Sequence, residues 1–234
     1  MTIHYHGTPI SPRPVLDSLA GRHFCVSYAA PDDVKHVHAI GQSVMLDNGA
    51  FSAWTKGRAV DWSGYYEWTA RWLDYRTTWA VIPDVIDGDE EANDALIRDW
   101  PHGDRGAPVW HMHESISRLI ILASRWPRVC IGSSGMYRVV GPRSWHNRMT
   151  DAMNELCVGG YVPTWLHMLR GMAMAGTHYP FASVDSTDIA RNHNRPQNTA
   201  RGMADSWDAQ QCTAARWTRR AVLQPLLPVV PVRV

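Results

Sequence analysis

Eight short apolar segments, rich in β-branched and aromatic residues, alternate along the chain with segments of helical length. The apolar segments cover 2–5, 24–28, 43–47, 79–83, 108–111, 128–132, 165–168 and 181–185. Helical spacing or helix-start signals cover 31–40, 61–75, 88–100, 114–126, 144–158 and 203–221. Strands that alternate with helices in this way predict βαβ units and a parallel sheet. Eight such units predict an α/β fold, a single (β/α)8 TIM-type barrel of minimal size.

The length of the chain agrees with a single domain. Chains of about 200 to 250 residues commonly form one α/β barrel, and this one has 234 residues, 45% of them hydrophobic. We predict that the barrel covers residues 1–222. Proline recurs at every third position from Pro225 to Pro231, a pattern typical of extended chain. Residues 223–234 are therefore predicted to form an extended tail.

The lengths of the apolar runs and the spacing of the cysteines indicate the cellular compartment of the protein. No run approaches the 18 apolar residues of a membrane span, and the first residues lack the pattern of a signal peptide. We expect a soluble, cytoplasmic protein. Its four cysteines, Cys25, Cys130, Cys157 and Cys212, show no CxxC spacing. They predict reduced structural thiols, with neither a disulfide framework nor a cysteine zinc site, and no cofactor is indicated.

The charge of the chain is unevenly distributed. Residues 1–117 carry 9 Lys and Arg against 16 Asp and Glu, a net −7, whereas residues 118–234 carry 14 against 6, a net +8. Such asymmetry suggests that the C-terminal half meets a polyanion such as a nucleic acid. Scattered, solvated arginines would give the same count, so charge alone leaves both interpretations open.

Polar residues gather at the carboxyl ends of the predicted strands. In a parallel barrel these ends share one face. On that face we expect Asp47, Asp84, His111, His113, the run Gly132-Ser133-Ser134-Gly135, His167 and Asp185. Any single Asp or His at such a position can simply cap a turn. Carboxylates that cluster raise one another's pKa at a cost in stability, so their joint occurrence indicates a functional site.

Two chemistries fit this set of residues. In the first, paired carboxylates act on a glycosidic bond, one as nucleophile and the other as proton carrier. Asp185 is the candidate nucleophile, Phe51 can stack on a flat base, and Asp84 can accept the two donors of a guanine edge. In the second, His111 and His113, which lie on the same side of a strand, bind zinc together with His167 and Asp185 or Asp84 and activate water.

Five segments between residues 43 and 195 resemble, in order, the tRNA-guanine transglycosylase superfamily. They are most similar to its shortened phage and bacterial relatives, which place 7-deazaguanines into DNA. The segments are Val44-Met-Leu-Asp-Asn-Gly-Ala-Phe51, Val81-Ile-Pro-Asp84, Pro108-Val-Trp-His111, Ile131-Gly-Ser-Ser-Gly135 and Ser183-Val-Asp-Ser-Thr187.

The resemblance implies a role for each matched residue. Asp185 would be the nucleophile and Asp47 the acid that handles the proton of the base. Phe51 would stack on the base, and Asp84 would recognise it. His111 stands where the family has a base-reading glutamine. The residues Gly132, Ser133, Ser134 and Gly135 would contact the base through their backbone, and His167 lies in the same pocket.

The chain also departs from the family. It lacks the zinc-binding CxCxxC…His subdomain that helps to hold tRNA, so the implied polynucleotide is DNA. Three arginines after Asp185 are expected to contact phosphates, although their spacing differs from that of the family: Arg191, Arg195 and Arg201.

The sequence therefore predicts a catalytic barrel that exchanges guanine in DNA for a 7-deazaguanine, such as 7-cyano-7-deazaguanine, through a covalent Asp185–deoxyribosyl intermediate. Its partners would be DNA and a free 7-deazapurine base, in the host cytoplasm if the chain is phage-encoded, with no membrane and no metal. Three alternatives remain: the same reaction on tRNA, a metal-dependent barrel hydrolase, and a barrel that binds a deazapurine or a nucleic acid without turnover.

Overall fold

The protein is described by a computed structural model that covers residues 1–161, 165–213 and 217–220. Nine strands form one parallel sheet in this part of the chain. They are β1 (Ile3–Gly7), β2 (His23–Ser27), β3 (Ser43–Asp47), β4 (Thr78–Val81), β5 (Gly106–Ala107), β6 (Val109–His111), β7 (Arg128–Gly132), β8 (Trp165–Met168) and β9 (Ser183–Ser186). Each of the eight predicted segments overlaps one of these strands, which confirms the predicted strand positions.

The sheet is nearly closed into a barrel at Pro108. Its strand order is β5-β4-β3-β2-β1-β9-β8-β7-β6, so the two outermost strands are consecutive in sequence. Ile82 N donates to Ala107 O (2.9 Å) on one side, and Cys130 N donates to Pro108 O (2.9 Å) on the other. Proline has no backbone N–H and interrupts the ladder between these two bonds. The predicted count of eight strands is therefore wrong by one, because a further two-residue strand, β5, precedes this proline and the predicted segment 108–111.

Helices surround the sheet. They are α1 (Arg13–Asp17), α2 (Val34–Ile40), α3 (Ala50–Thr55), α4 (Trp62–Ala70), α5 (Glu90–Asp99), α6 (Ile116–Arg125), α7 (Arg143–Val158), α8 (Asp188–Asn192) and α9 (Ala200–Asp208). Four of them begin at a side chain that accepts a hydrogen bond from the first turn: Asp61, Asp89, Ser115 and Thr199. The five helices predicted between 31 and 158 are confirmed.

The last predicted helix, 203–221, is wrong in its second half. Helix α9 ends at Asp208, and residues 209–213 and 217–220 are not helical. The chain turns back to β1, where Gln211 Oε1 accepts from Thr2 N (2.6 Å) and Cys212 N donates to Thr2 Oγ1 (3.1 Å). These bonds to a distant strand replace the next helical turn. The predicted tail, 223–234, lies outside the described residues.

The barrel interior is filled by side chains from residues that lie opposite one another on neighbouring strands. Tyr5 lies opposite Asp185, Cys25 opposite Met45, and Cys130 opposite His167 across neighbouring strands. A buried layer within the ring packs Tyr5, Cys25, Met45, Trp79, Val81, Ala107, Val109 and Cys130. Because side chains alternate along a strand, the residue two positions later faces the same interior. The next layer towards the carboxyl ends is therefore set by Asp47, His111, Gly132 and Asp185.

All four cysteines are free thiols, and Cys25 and Cys130 are buried. Across the residues that the structure describes, no helix has the length and apolar character required to cross a bilayer.

Candidate active site

Three carboxylates meet at the carboxyl-terminal mouth of the barrel. Asp47 is the last residue of β3, Asp185 lies in β9, and Asp84 follows the end of β4. Asp84 and Asp185 are buried, and Asp47 is half-buried. Both of the other carboxylates raise the pKa of Asp47. The structure thus brings together the three acids that the sequence predicted at one face.

Asp185 is held through one of its two carboxylate oxygens. Its Oδ1 accepts from the backbone N of Arg170 (2.7 Å) and lies 3.2 Å from Nε2 of His167. No other described residue forms a hydrogen bond to Oδ2. The carboxylate is therefore fixed in orientation through Oδ1, and Oδ2 has no hydrogen-bond partner among the described residues.

A chain of hydrogen bonds sets the tautomer of His167, which is fully buried. Trp165 Nε1 can only donate, and it donates to Ser183 Oγ (2.8 Å). The Ser183 hydroxyl proton is then available to His167 Nδ1 (2.8 Å). His167 consequently carries its own proton on Nε2 and donates it to Asp185.

Asp47 is held in a different environment. The pKa of Asp47 is raised from 3.8 to about 6, chiefly by burial and in addition by Asp185 and Asp84, while hydrogen bonds from the Ser27 side chain and the Gly49 backbone oppose the shift. Gly49 N reaches Asp47 Oδ2 at 3.1 Å, and the φ of Gly49 is +78°, a conformation that glycine adopts without strain. Asp47 can therefore gain and lose a proton near neutral pH.

The third acid, Asp84, is tied to two neighbours. Its Oδ1 accepts from Asn48 Nδ2 (2.7 Å), and Asn48 also donates to the carbonyl of Ile82 (2.9 Å). His111 Nε2 lies 2.9 Å from Asp84 Oδ2, a distance that allows an ion pair when the imidazole is protonated. The geometry of this contact does not meet the criteria for a hydrogen bond. Each carboxylate oxygen has a second lone pair, so Asp84 can accept further donors.

His111 has an unused polar atom at the mouth. Its side chain is 2% exposed, and its Nδ1 has no hydrogen-bond partner among the described residues. A Cβ at position 132 would lie 3.1 Å from that nitrogen, so Gly132 leaves room for the ring. A buried nitrogen without a partner is costly unless a ligand reaches it.

In the Gly-Ser-Ser-Gly run, both serine side chains are already engaged with other side chains. Ser133 Oγ accepts from Trp145 Nε1 (2.9 Å), and Ser134 Oγ pairs with His113 Nδ1 (2.8 Å). Gly135 has a φ of +53°, and a Cβ there would lie 2.9 Å from the Cβ of His113. The expected contact to a base through backbone groups is compatible with this arrangement.

Arg170 is a site residue that the sequence did not single out. Its guanidinium lies 3.8 Å from the ring centroid of Phe51, and Nη2 donates to Ser133 O (3.3 Å). Attraction to Asp185, Asp47 and Asp84 raises the pKa of this guanidinium, against a larger lowering by burial. Arg170 lies in no recognisable motif.

Asn48 is a second site residue that the sequence analysis did not single out. Its only signal in the sequence was its place beside Asp47 in an Asp-Asn-Gly turn.

The three arginines proposed for phosphate contact lie to one side of the mouth. Arg191 is in α8, which follows β9 directly, Arg201 is in α9, and Arg195 lies in the loop between them. All three are exposed. Arg195 lines a surface cleft of about 490 Å³ between α8 and α9. The structure brings none of the three into contact with the carboxylates.

Two of the three histidines proposed as zinc ligands, His113 and His167, are occupied by other partners. His113 Nε2 pairs with Gly88 O (3.1 Å) and its Nδ1 with Ser134, while His167 is bound to Ser183 and Asp185. Within residues 1–161, 165–213 and 217–220, no three His, Cys, Asp or Glu side chains are grouped so that they could hold a metal ion.

Comparisons with protein-family models, with curated proteins and with solved structures find no match to this chain.

Proposed function

We propose that the protein replaces guanine in DNA with a 7-deazaguanine by two displacements at C1′ of the nucleotide. The observation that supports this most is the contrast between Asp185 and Asp47 at one mouth. Asp185 is oriented by two donors on a single oxygen, as a nucleophile requires, whereas Asp47 has a pKa of about 6, as a proton carrier requires.

In the first displacement, Oδ2 of Asp185 attacks C1′ and the bond from C1′ to N9 of guanine breaks. The bonding electrons leave with the base, and protonated Asp47 supplies the proton that makes it neutral guanine. The products are a deoxyribosyl ester of Asp185, an ionised Asp47 and free guanine.

In the second displacement, a free 7-deazaguanine takes the place of guanine. Its N9 attacks C1′ while Asp47 removes the N9 proton, and the ester bond to Asp185 breaks with its electrons returning to the carboxylate. Both acids are thereby restored to their starting states, so no cofactor is consumed. The target nucleotide must be flipped out of the duplex or be single-stranded to reach a buried carboxylate.

Recognition of the base falls to groups that retain free hydrogen-bonding capacity. Asp84 can accept the N1–H and exocyclic amine of guanine, and the unpartnered Nδ1 of His111 can accept one further donor. Phe51 is 37% exposed and offers a ring for stacking. The Arg170 guanidinium covers one face of that ring at 3.8 Å, so a base that stacks on this face must displace it.

Charge supports a polynucleotide as the substrate. Residues 118–234 carry a net +8, from 14 Lys and Arg against 6 Asp and Glu, and Arg191, Arg195 and Arg201 are exposed beside the mouth. Phosphate contacts of this kind position a nucleic acid without reading its sequence. DNA is proposed over tRNA because the chain lacks the cysteine-rich segment that holds tRNA in the superfamily it resembles.

The test is an exchange assay. Guanine-labelled DNA and, separately, labelled tRNA are incubated with the protein and unlabelled 7-cyano-7-deazaguanine, and label released from the polymer is measured. We expect release from DNA only. Release of label from tRNA only would support the base-exchange reaction but would make tRNA, rather than DNA, its substrate.

The matched control is Asp185→Asn, which preserves the shape of the side chain and an acceptor for the Arg170 N–H. This variant should fold and bind DNA but release no label and form no covalent adduct. If the natural protein releases no label from either polymer, the proposal fails. Stoichiometric zinc, together with a hydrolytic activity that a chelator abolishes, would then support the metal-dependent alternative.

A further inference from the structure

A second cleft opens at the amino-terminal end of the barrel, opposite the three carboxylates. It encloses about 520 Å³. The first residues of six strands line it: Ile3, His23, Ser43, Thr78, Arg128 and Trp165. It therefore lies on the barrel axis, and β7 runs from Arg128 in this cleft to Gly132 at the candidate active site, about 13 Å away at ~3.3 Å per residue.

The Arg128 guanidinium lines this cleft without an anionic or hydrogen-bonding partner among the described residues. Its guanidinium lies between two indole rings, 4.6 Å from the centroid of Trp79 and 4.8 Å from that of Trp165. Among the described residues none forms a hydrogen bond or an ion pair with Arg128, and its Nε is closed off from solvent. Burial lowers the pKa of this guanidinium, Tyr5 and Cys130 oppose that shift, and repulsion from Arg105 adds to it.

Two more polar atoms of the cleft are buried without a partner. They are Nε of Arg105 and Oγ1 of Thr78. Arg105 is itself fixed in place, because its Nη2 donates to the carbonyls of Leu73 (2.7 Å), Tyr75 (2.6 Å) and Thr78 (2.7 Å). Buried polar groups in proteins are normally satisfied, so the wall of this cleft holds three polar atoms whose hydrogen bonds are not made by the described residues.

The charges of the side chains that line this cleft indicate the class of ligand it binds. Arg76, Arg105 and Arg128 line the cleft against a single acid, Asp104. A guanidinium that is taken out of water without a counter-charge is unfavourable. An oxyanion offsets that cost, because it accepts two parallel N–H bonds from one guanidinium.

We propose that this cleft binds the phosphate group of a small phosphorylated molecule, with Arg128 as its principal contact and Thr78 and Arg76 as secondary contacts. A volume of about 520 Å³ falls in the range of small-molecule sites and leaves room for an organic part beside the phosphate. The site is separate from Asp185 and Asp47, and it holds whether or not base exchange occurs at the other mouth.

The test is a titration of the full-length protein, labelled with ¹⁵N at arginine, at an ionic strength held constant with KCl. One arm uses inorganic phosphate and the other adenosine 5′-monophosphate, and the Nε resonance of Arg128, assigned from its loss in Arg128→Lys, is followed. Saturable shifts support the proposal. Tighter binding of the monophosphate identifies a phosphorylated organic ligand, and equal binding identifies free phosphate.

Substitutions inside and outside the cleft test whether the phosphate binds there. Arg128→Gln should weaken binding by about tenfold or more, equivalent to roughly 1.4 kcal/mol, whereas Arg125→Gln, an exposed arginine at the end of α6, should leave it unchanged. If Arg128→Gln does not fold, Thr78→Val and Arg76→Gln should each weaken binding several-fold. Absence of saturation in both arms, or full affinity in the folded cleft variants, overturns the proposal.

Discussion

His167 Nε2 lies 3.2 Å from Asp185 Oδ1, and the imidazole that makes this contact is fully buried. Its other nitrogen is bound to Ser183, whose hydroxyl is in turn fixed by Trp165. Three side chains on β8 and β9 thus determine which oxygen of Asp185 is occupied and which is free. His167 acts on the proposed nucleophile by positioning it, and it need not touch the substrate.

Replacement of His167 tests this role. His167→Phe keeps a ring of similar size but removes the donor, and hydrogen bonds to charged groups contribute about 1.5 to 3 kcal/mol. We expect kcat for base exchange to fall roughly 10- to 100-fold with little change in KM. His167→Gln retains an N–H in a similar place and should recover much of the loss. Equal loss in the Phe and Gln variants would assign His167 to packing alone.

Asp47 should make the protein less stable as pH rises. Its folded pKa, about 6, lies above its ordinary value of 3.8, so between these values the folded state binds more protons than the unfolded state. The free energy of unfolding must then fall as pH increases from 4 to 6, by up to about 3 kcal/mol at 1.36 kcal/mol per pKa unit. Denaturant unfolding at pH 4.5 and 7.5 should show about 2 kcal/mol of this difference, because the part below pH 4.5 is not sampled.

The matched variant is Asp47→Asn, which keeps an acceptor for the Gly49 N–H and cannot ionise. It should remove this contribution to the pH dependence, and at pH 7.5 it should be more stable than the natural protein while losing base exchange. A variant that is less stable at pH 7.5 would show that the charged form of Asp47 is favoured by the fold.

The sequence predicted the positions of the strands and most of the site for one reason. In a parallel barrel a strand needs only a short apolar run, and its carboxyl end necessarily faces the common mouth. Asp47, His111 and Asp185 end or nearly end such runs, so their meeting follows from topology. Asp84, beyond the end of β4, follows the same rule.

The features that the sequence did not predict depend on contacts between distant segments. Arg170, in the loop after β8, has a φ of +53° and contacts Phe51, and nothing in the local sequence signals either feature. The short helices 50–55 and 188–192 have too few residues to form without tertiary packing. The early end of α9 is likewise set by Thr2, more than 200 residues away in sequence.

Salt dependence should separate the arginines beside the mouth from other surface arginines. If Arg195 contacts a phosphate, Arg195→Gln should weaken DNA binding and reduce the slope of log K against log salt by about 1, because one fewer counterion is released. Arg125→Gln is the matched control, since Arg125 is also exposed but lies on α6. Fluorescence anisotropy with a labelled oligonucleotide at several KCl concentrations gives both slopes. Identical slopes for the two variants would remove Arg195 from the interface.

Arg170 should compete with the base for the ring of Phe51. Arg170→Gly exposes the ring and suits the positive φ at this position, whereas Arg170→Met removes the charge but leaves a side chain over the ring. A cation–π contact of about 1 kcal/mol must be broken before a base can stack on the covered face. We therefore expect 7-cyano-7-deazaguanine to bind the Gly variant several-fold more tightly than the natural protein, and also more tightly than the Met variant, whose side chain still covers the ring, as measured by calorimetry. Both variants also remove a positive charge near Asp47, which raises the pKa of this acid, so the alkaline limb of the pH–rate profile, above which Asp47 is no longer protonated, should move to higher pH in each. Equal affinities for the base in the two variants would mean that Arg170 does not cover the stacking face in solution.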